Sequence, residues 1–358
     1  MKVLMISTDS NIFDQKSKVR RRMMAYGQFV DRLDIVVLSG RNYKTEDKLN
    51  EKVTAYATNS RVKLGRLMDA WKLGKQFSPE IITCQDPLAT GLIGYCLKKK
   101  FKVPLELQMH TDIFDNKFKF FSLGNYFKYL LAKKILVSAD KIRVVSNRIK
   151  LNLLSSKINL KAKIIVLPIF VDLVEVSKLK KLSNEHNLYP QFKKIILITS
   201  RLTSEKNIKL AIEGFKLVQK DRKDTGLLIA GSGPVKNKLE KVIKKLKLED
   251  SVVFLGWQND LISFYQTADV FLQTSNFEGY GLALAEAMAF GLPAVSTDVG
   301  VAREAGALIC SFRPEGVALA LKQAIDEPTQ IKFKVDNLNQ ITNFNDYVSQ
   351  IVTNWQVS

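Results

Sequence analysis

Short apolar runs of strand length alternate with helix-period segments along the whole chain, and this alternation constrains the fold more than any other feature. Strands that alternate with helices form parallel sheets with helices on both faces. The sequence therefore predicts an α/β fold. The expected strands are Lys2–Ser7, Leu33–Leu38, Lys52–Ala57, Ile81–Cys84, Leu105–Met109, Lys141–Val145, Ile164–Leu167, Lys194–Thr199, Gly226–Ala230, Val252–Leu255, Val270–Gln273, Ala294–Ser296 and Ala307–Cys310.

The length of the chain predicts two such domains. At 358 residues it exceeds the size at which one hydrophobic core stops growing, and its hydrophobic fraction of 46% supports ordered cores. A polar, lysine-rich stretch at 173–192 is typical of a linker, so we expect a first domain over 1–172 and a second over 193–342. Three widely spaced cysteines indicate a reduced, cytoplasmic protein, and we expect neither a signal peptide nor a membrane span.

The formal charge of +20 predicts anionic partners, such as phosphorylated substrates or an anionic membrane surface. Nucleic acid is not expected, because no binding module is recognisable. Between Lys117 and Leu136 the sequence interleaves lysines with aromatic and aliphatic residues. It predicts either a helix that lies in a membrane interface or a core helix with a solvated basic face.

Two glutamates flank a glycine turn in the stretch 274–293, T-S-N-F-E-G-Y-G-L-A-L-A-E-A-M-A-F-G-L-P. Gly279 and Gly281 leave the N–H groups of a helix start unshielded, and the helix dipole favours an anion such as a phosphate there. A carboxylate repels phosphate but accepts strong hydrogen bonds from neutral hydroxyls. Glu278 and Glu286 therefore suit the hydroxyls of a phosphorylated ligand, such as a nucleotide sugar. The alternative is an ordinary helix with two exposed acids.

Further candidates follow other strands of the second half, where ligands bind in open parallel sheets. Arg201 and Lys206 lie after Lys194–Thr199 and suit a diphosphate, which cations stabilise as it leaves. Gly231 opens a G-S-G-P turn after Gly226–Ala230, and the backbone next to Gly256 and Trp257, which follow Val252–Leu255, is expected to line a base pocket. Each signal alone is weak. Together, on successive strand ends, they indicate one site.

In this combination the second half resembles the nucleotide-sugar domain of retaining glycosyltransferases of family 4, which have the two-domain GT-B fold. The resemblance rests on R-L-T-S-E-K-N at 201–207, G-S-G-P at 231–234, V-V-F-L-G at 252–256, A-D-V-F-L-Q-T-S at 268–275 and the pair Glu278 and Glu286. It implies two Rossmann-like domains whose parallel sheets face each other across a cleft. It also implies that Arg201 and Lys206 bind the diphosphate, Glu278 the donor sugar, Glu286 the ribose, and the amides of Tyr280 and Gly281 the phosphates. The base is then expected to be recognised through the backbone near Val253 and Phe254.

The first half resembles the family less closely. L-Q-M-H-T-D at 107–112 matches the strand-end histidine of the family, so His110 is expected beside the transferred sugar, with Asp112 as a neighbour. Gln85 and Asp86 also follow a strand and are candidate contacts for donor or acceptor. In the resembling fold the last helix, here 343–358, packs back on the first domain.

The first loop departs from the family, because D-S-N-I-F-D-Q-K-S-K-V-R-R-R holds no glycine pair. We expect the side chains of Arg20 and Arg21 to bind an acceptor phosphate instead.

The resemblance implies transfer of a sugar from a nucleoside-diphosphate donor to a hydroxyl acceptor with retention of anomeric configuration. We expect a hexosyltransferase that uses a UDP- or GDP-sugar and a glycan or lipid-linked acceptor in cell-envelope glycan or glycolipid synthesis. Neither a metal nor a cofactor is implied, since no D-x-D triplet occurs. The expected location is cytoplasmic, including the cytoplasmic face of the membrane.

Other functions fit less well. A nicotinamide-dependent oxidoreductase requires G-x-G-x-x-G after the first strand, where this chain has S-T-D-S-N. A non-catalytic basic adaptor that binds membranes or polyanions on a transferase scaffold is the main alternative. Sugar-nucleotide epimerases and phosphorylases of the same fold remain alternative functions.

Overall fold

The structure, a computed structural model, describes residues 1–40, 42–171, 189–334 and 343–356. The chain forms two compact units, one of Met1–Phe170 with Asn343–Ser358 and the other of Val171–Thr342. Most of the predicted linker lies outside the described residues. Its last four residues belong to the second unit, where Phe192 is buried against Gly226. Within the described part of the chain, no helix has the length and apolar character to cross a membrane.

The first unit is built on an eight-stranded sheet in the order β3-β4-β2-β1-β5-β6-β7-β8. All neighbouring strands are parallel except the edge pair β3 and β4. The central strands are buried at nearly every position, as is usual for parallel strands covered on both faces. The strands are β1 (Lys2–Ser7), β2 (Arg32–Val37), β3 (Glu46–Lys48), β4 (Val53–Ala57), β5 (Ile81–Cys84), β6 (Leu105–Met109), β7 (Lys141–Val144) and β8 (Lys163–Val166).

Helices cover both faces of this sheet. The middle helix α3 contacts both α2 and α5, so these three form one layer. Each of these helices lies in a connection between two parallel strands, and all three connections move across the sheet towards the β8 edge. Right-handed crossovers that move in the same direction place their helices on the same face of the sheet. The helices are α1 (Lys18–Tyr26), α2 (Lys63–Gly74), α3 (Ala89–Phe101), α4 (Asn116–Lys119), α5 (Leu123–Leu136) and α6 (Asn147–Ser155).

The second unit has a six-stranded, fully parallel sheet in the order β11-β10-β9-β12-β13-β14. Its core packs around the fully buried Phe215, and Phe271 is buried in the central strand β12. The strands are β9 (Lys194–Thr199), β10 (Thr225–Ala230), β11 (Val252–Gly256), β12 (Val270–Gln273), β13 (Ala294–Thr297) and β14 (Leu308–Cys310). The helices are α7 (Ile208–Gln219), α8 (Lys236–Leu246), α9 (Ile262–Thr267), α10 (Leu282–Ala289), α11 (Ala302–Ala305) and α12 (Pro314–Asp326).

The last helix, α13 (Phe344–Gln356), belongs to the first unit and is anchored on β7. Lys141 Nζ donates hydrogen bonds to the carbonyls of Asn354 at 2.8 Å and Trp355 at 3.2 Å. A cation suits this end of a helix, where unpaired carbonyls concentrate negative charge. Arg143 Nη2 donates to Tyr347 Oη at 2.9 Å. Two buried cations of β7 therefore hold both the start and the end of α13.

Glu106 on β6 also contacts α13 and makes this part of the unit sensitive to pH. The side chain is fully buried, and Asn354 Nδ2 donates to its Oε2 at 3.2 Å. Burial outweighs the nearby Arg143 charge and raises the pKa of Glu106 from 4.5 to about 7. Between these values the folded protein binds a proton that the unfolded chain releases, so stability falls as pH rises through this window.

We predict that Glu106→Gln removes this pH dependence. From about pH 5 to about pH 8 the free energy of unfolding of the original protein should fall by about 2–3 kcal/mol relative to the variant, because glutamine carries no proton to lose. Urea unfolding at both pH values measures the difference. The exposed Glu51→Gln is the control and should keep the original dependence. Parallel pH profiles for Glu106→Gln and the original protein would contradict the prediction.

The comparison with the predicted elements is favourable, because every predicted strand is present within one or two residues at each end. The expected fold class, two α/β domains with parallel sheets, is confirmed. The edge strand β3, whose three residues Glu46, Asp47 and Lys48 are all charged, was not predicted. The single helix expected over 117–136 is wrong. The first helix ends at Lys119, and Ser122 is extended and caps a second helix, because its side chain accepts from Asn125 N.

Candidate active site

Lys206 and Glu278 form an ion pair at the carboxyl ends of two neighbouring strands, β9 and β12. Lys206 Nζ donates to Glu278 Oε1 at 2.5 Å, and Ser275 Oγ donates to the same oxygen at 2.8 Å. The two charged side chains are only 17% and 13% exposed. Because little water screens them, their charges act more strongly than on an open surface. Ligands of open parallel sheets bind at this end of the strands.

Hydrogen bonds between the two loops fix the position of this pair. Asn276 N donates to the carbonyl of Glu205 at 2.8 Å, and Thr274 Oγ1 donates to the carbonyl of Asn207 at 3.1 Å. Asn207 takes a left-handed conformation, with φ 48° and ψ 41°, and begins α7. The chain turns sharply there and returns Lys206 towards the end of β12. The charged pair is therefore preorganised by backbone contacts.

The glycine turn after Glu278 leads directly into α10. Gly281 caps this helix with φ 90° and ψ 53°, a left-handed conformation that side-chain-bearing residues rarely adopt. Val301 N donates to the carbonyl of Tyr280 at 2.8 Å, and the Tyr280 side chain is buried. The loop after β13 therefore stabilises the glycine turn through this backbone hydrogen bond. The positive end of the α10 dipole lies just after Glu278, where it favours an anion.

Glu286, in the second turn of α10, is connected to the end of β9 through a buried tyrosine. Tyr265 Oη donates to Glu286 Oε2 at 3.4 Å and shares a hydrogen bond of 3.0 Å with Thr199 Oγ1. Burial and the negative charge of Glu286 raise the pKa of Tyr265 well above its ordinary value, so the phenol stays protonated. This contact orients the carboxylate of Glu286, which is half-buried.

The G-S-G-P turn after β10 lies against the loop that carries Arg201. Gly231 has φ 141°, and a Cβ there would come within 1.8 Å of the carbonyl oxygen of Ser200, so only glycine fits. Leu202 N donates to the carbonyl of Ser232 at 2.9 Å. The Arg201 side chain is 69% exposed, and its Nη2 lies 3.6 Å from Glu205 Oε1. The structure therefore brings Lys206, but not the Arg201 guanidinium, to Glu278.

The residues expected to line a base pocket lie on the edge strand β11. Val253 and Phe254 are half-buried, and Lys236 Nζ lies 5.7 Å from the centre of the Phe254 ring. Trp257, just beyond the strand, is exposed, and its Nε1 donates to Asn259 Oδ1 at 3.2 Å. An edge strand offers one side of its backbone to a ligand.

In the first unit, His110 directly follows β6. Gln108 Nε2 donates to Thr83 Oγ1 at 3.0 Å, which fixes the amide and leaves Gln108 Oε1 as the acceptor for His110 Nε2 at 3.1 Å. Loss of water around the ring and the charges of Arg143 and Arg22 lower the pKa of His110, although part of the residue is exposed to solvent. The imidazole is therefore neutral at physiological pH, with its proton on Nε2.

Two of the acidic candidates in the first unit are engaged by protein groups. Asn152 Nδ2 donates to Asp112 Oδ2 at 2.7 Å, and burial raises the pKa of Asp112 to about 7. Asp86 Oδ1 accepts from Leu88 N at 2.7 Å and helps to begin α3. Burial raises the pKa of Asp86 as well. These contacts give both carboxylates a structural role.

The remaining candidates of the first unit differ in their accessibility. Gln85 Oε1 accepts from Ser7 Oγ at 2.8 Å, which connects β5 to the end of β1. Arg20 is buried, and its Nη1 donates to Asp47 Oδ2 at 2.5 Å. Arg21 is exposed. Of the two arginines proposed for an acceptor phosphate, Arg20 is therefore held inside the unit by a salt bridge.

Two residues of the site were not predicted from the sequence. Ser275 could have been found, since it lies two residues after the end of β12 and three residues before Glu278. Tyr265 carries no local signal, because its role depends on how α9 packs between the end of β9 and helix α10. In the part of the chain that the structure describes, no cluster of three or more His, Cys, Asp or Glu side chains could hold a metal ion.

Comparisons with known proteins agree with this geometry. Residues 180–329 match the family described as glycosyl transferases group 1. The chain is 30% identical over 245 residues to an uncharacterized glycosyltransferase, MJ1059, of Methanocaldococcus jannaschii, an alignment that covers 66% of this chain and 59% of that protein. It is 27% identical over 241 residues to the alpha-monoglucosyldiacylglycerol synthase of Streptococcus pneumoniae, covering 63% of this chain and 54% of the synthase. The chain thus spans less than two thirds of the length of either relative.

Solved structures show the same architecture over nearly the whole chain. Sucrose-phosphate synthase from Thermosynechococcus elongatus aligns with a TM-score of 0.80 at 18% identity, over 99% of this chain and 98% of that one. Anabaena Alr3699/HepE, in complex with UDP and glucose, aligns with a TM-score of 0.73 at 17% identity, over 99% and 97%. These structures show that the chain has the GT-B fold, and the match of residues 180–329 to the group 1 glycosyltransferases supports a GT4-type family.

Proposed function

We propose that the protein transfers a sugar from a nucleoside-diphosphate donor to a hydroxyl acceptor, with retention of anomeric configuration and without a metal ion or other cofactor. The observation that carries the proposal is the pair of Lys206 and Glu278 at the ends of β9 and β12, directly before the start of α10. This arrangement offers a cation, a carboxylate and a helix N-terminus within one loop cluster. These three groups suit a diphosphate joined to a sugar, because the cation and the helix N-terminus favour the phosphates and the carboxylate accepts hydrogen bonds from the sugar hydroxyls.

Each group has a separate task in donor binding. An ammonium carries three N–H donors, so Lys206 can hold Glu278 and reach a phosphate oxygen at the same time. The N-terminus of α10 and the backbone at Tyr280 and Gly281 take the remaining phosphate charge, and Arg201 can approach from its exposed position. Glu278 accepts hydrogen bonds from the sugar hydroxyls, and Glu286, oriented by Tyr265, accepts from the ribose diol.

In the reaction, the bond between the anomeric carbon and the diphosphate oxygen breaks, and the acceptor oxygen forms its bond on the same face. The proton of the acceptor hydroxyl passes to the departing diphosphate. Lys206 and the α10 dipole stabilise the negative charge that develops on this leaving group. We propose that His110, which is neutral, acts as a hydrogen-bond partner of the sugar rather than as an acid or base.

We further propose UDP as the nucleotide and a glycan or lipid-linked acceptor of the cell envelope. UDP is supported by the Anabaena structure, which holds UDP and glucose, and a lipid acceptor by the name of the streptococcal synthase. The acceptor contacts remain those expected in the first unit, with Gln85, Asp86 and Asp112 partly committed to protein partners and Arg21 exposed. We place the protein in the cytoplasm, at the cytoplasmic face of the membrane.

The melting temperature of the purified protein in the presence of UDP, GDP or ADP tests the donor site. We expect UDP to raise the Tm of the second unit, because a ligand that binds only the folded state stabilises it by mass action. A larger rise in Tm with GDP or ADP would replace uracil as the proposed base and would still support the proposed donor site. No rise with any nucleotide or its sugar conjugates would contradict the proposal and favour a non-catalytic adaptor on a transferase scaffold.

A further inference from the structure

Helix α5 is apolar on two opposite faces, and only one of them is covered. Ala132, Ile135 and Leu136 are buried against the first unit. On the other side, the spacing of Leu123, Phe127 and Leu130 places their side chains in one row, and they are 82%, 67% and 43% exposed. A helix that needs only one partner carries polar residues on its outer face. The outer face of α5 therefore fits a second apolar environment.

The ends of this row carry aromatic rings and lysines. Phe120, just before α5, is 68% exposed. Lys119 Nζ lies 4.8 Å from the centre of the Phe120 ring and 4.4 Å from that of Tyr129. Lys133 and Lys134 are exposed in the last turn of the helix. The sequence contains no acidic residue between Asp115 and Asp140. The whole segment is thus positive as well as apolar.

A second exposed row lies in the same helix layer. On α2, Leu64, Met68 and Trp71 have the same spacing and are 70%, 55% and 39% exposed. Between α2 and α5 lies α3, whose last turn presents the exposed Lys99 and Lys100. Two apolar rows with lysines between and beside them therefore face away from the sheet on one side of the first unit.

We propose that the layer formed by α2, α3 and α5 is a docking surface for an anionic lipid bilayer. The apolar rows would enter the boundary between headgroups and acyl chains, and the lysines would contact lipid phosphates, which is how amphipathic helices bind membrane surfaces. Only one face of each helix enters, so no helix has to span the bilayer. This inference deepens the proposed function and rests on it for the lipid-linked acceptor. The exposed apolar and basic residues themselves all belong to the first unit and do not depend on the donor site.

Charge favours a bilayer over a second copy of the chain. A symmetric dimer through this layer would bring the same patch of each copy together, so the lysines of one copy would face those of the other. Like charges in juxtaposition weaken such an interface. Lipid phosphates instead neutralise the lysines, and their attraction falls as salt screens it.

Flotation with vesicles of phosphatidylcholine alone, or of phosphatidylcholine with phosphatidylglycerol, tests the proposal. The original protein should float with the anionic vesicles at low salt and dissociate at high salt. Leu123→Glu/Phe127→Glu should weaken binding by at least about tenfold, since two apolar side chains no longer enter the interface. Lys133→Gln/Lys134→Gln should weaken it on the order of twentyfold, from about fivefold for each lysine at an anionic surface.

Matched variants on the second unit separate this surface from general charge or hydrophobicity. Leu319→Glu changes an equally exposed leucine of α12, and Lys244→Gln/Lys245→Gln removes an exposed lysine pair of α8. Both should bind vesicles like the original protein. All variants should keep the UDP-induced rise in Tm, which shows that they are folded and separates this test from that of the donor site.

The proposal is overturned if the original protein floats with neither kind of vesicle at low salt. It is equally overturned if the control variants on the second unit lose as much vesicle binding as the α5 variants. It is also overturned if sedimentation shows a dimer that Leu123→Glu/Phe127→Glu dissociates while vesicles are not bound, because the layer would then be an interface between two copies.

Discussion

Replacement of Lys206 by alanine is expected to lower kcat/KM for sugar transfer about 10²- to 10³-fold and to abolish the rise in Tm with UDP. The ammonium lies at the end of β9, 2.5 Å from Glu278 and next to the start of α10, where the diphosphate is proposed to bind. Without it, no fixed cation meets the charge that develops on the leaving diphosphate. Steady-state kinetics with a UDP-sugar and thermal unfolding with UDP measure the two effects.

The variant should remain folded. Loss of the ammonium leaves Glu278 with Ser275 as its hydrogen-bond donor, which costs about 1–3 kcal/mol of stability, less than the total of a typical domain. Lys209→Ala is the matched control, because Lys209 lies in the same region and pairs with Glu213 at 3.5 Å, but its side chain is 63% exposed. Equal activity of Lys206→Ala and Lys209→Ala would contradict the proposed donor site.

Much of this site could be predicted because its residues follow strands directly. Lys206, Gly231 and Glu278 each lie within a few residues of a strand whose apolar pattern is clear in the sequence. The topology of parallel sheets then brings these loops to one edge. The direct contact between Lys206 and Glu278 could not be predicted, because it joins residues 72 positions apart and depends on the left-handed turn at Asn207.

The features missed by the sequence interpretation lack a local apolar signal or depend on packing. Strand β3 consists of charged residues and exists because Glu46 to Lys48 pair with the edge strand β4. Periodicity indicates that α5 has a buried face, but only the structure shows that its opposite face is also apolar and exposed. The sequence therefore does not separate the two interpretations of the segment 117–136, a membrane-interface helix or a core helix with a solvated basic face.

The residues expected to contact an acceptor illustrate a different limit. Arg20 and Asp86 have the chemistry of binding residues and the right position in the sequence. In the folded unit, however, Arg20 pairs with Asp47, and Asp86 accepts from backbone N–H groups at the start of α3. A charged residue next to a strand end serves a ligand or the backbone equally well, and the sequence does not show which.

Replacement of Glu278 by glutamine is expected to lower kcat/KM about 10²- to 10³-fold while leaving the rise in Tm with UDP unchanged. Glutamine keeps an oxygen that can accept from Lys206 and Ser275, so the loop and the diphosphate contacts are preserved. It loses the negative charge and one acceptor oxygen, which are the properties proposed to act on the sugar hydroxyls as the glycosidic bond breaks. Kinetics with a UDP-sugar, and thermal unfolding with UDP alone, separate these two contributions.

The two substitutions thus distinguish the roles within one ion pair. If Lys206 binds the diphosphate and Glu278 the sugar, UDP binding is lost only in Lys206→Ala, whereas turnover is lost in both. Glu213→Gln, which alters the more exposed pair on α7, should change neither. If Glu278→Gln also loses its response to UDP, the pair acts as a structural clamp for the loop, and the sugar must be held by other groups. Near-normal turnover of Glu278→Gln would remove this carboxylate from the reaction altogether.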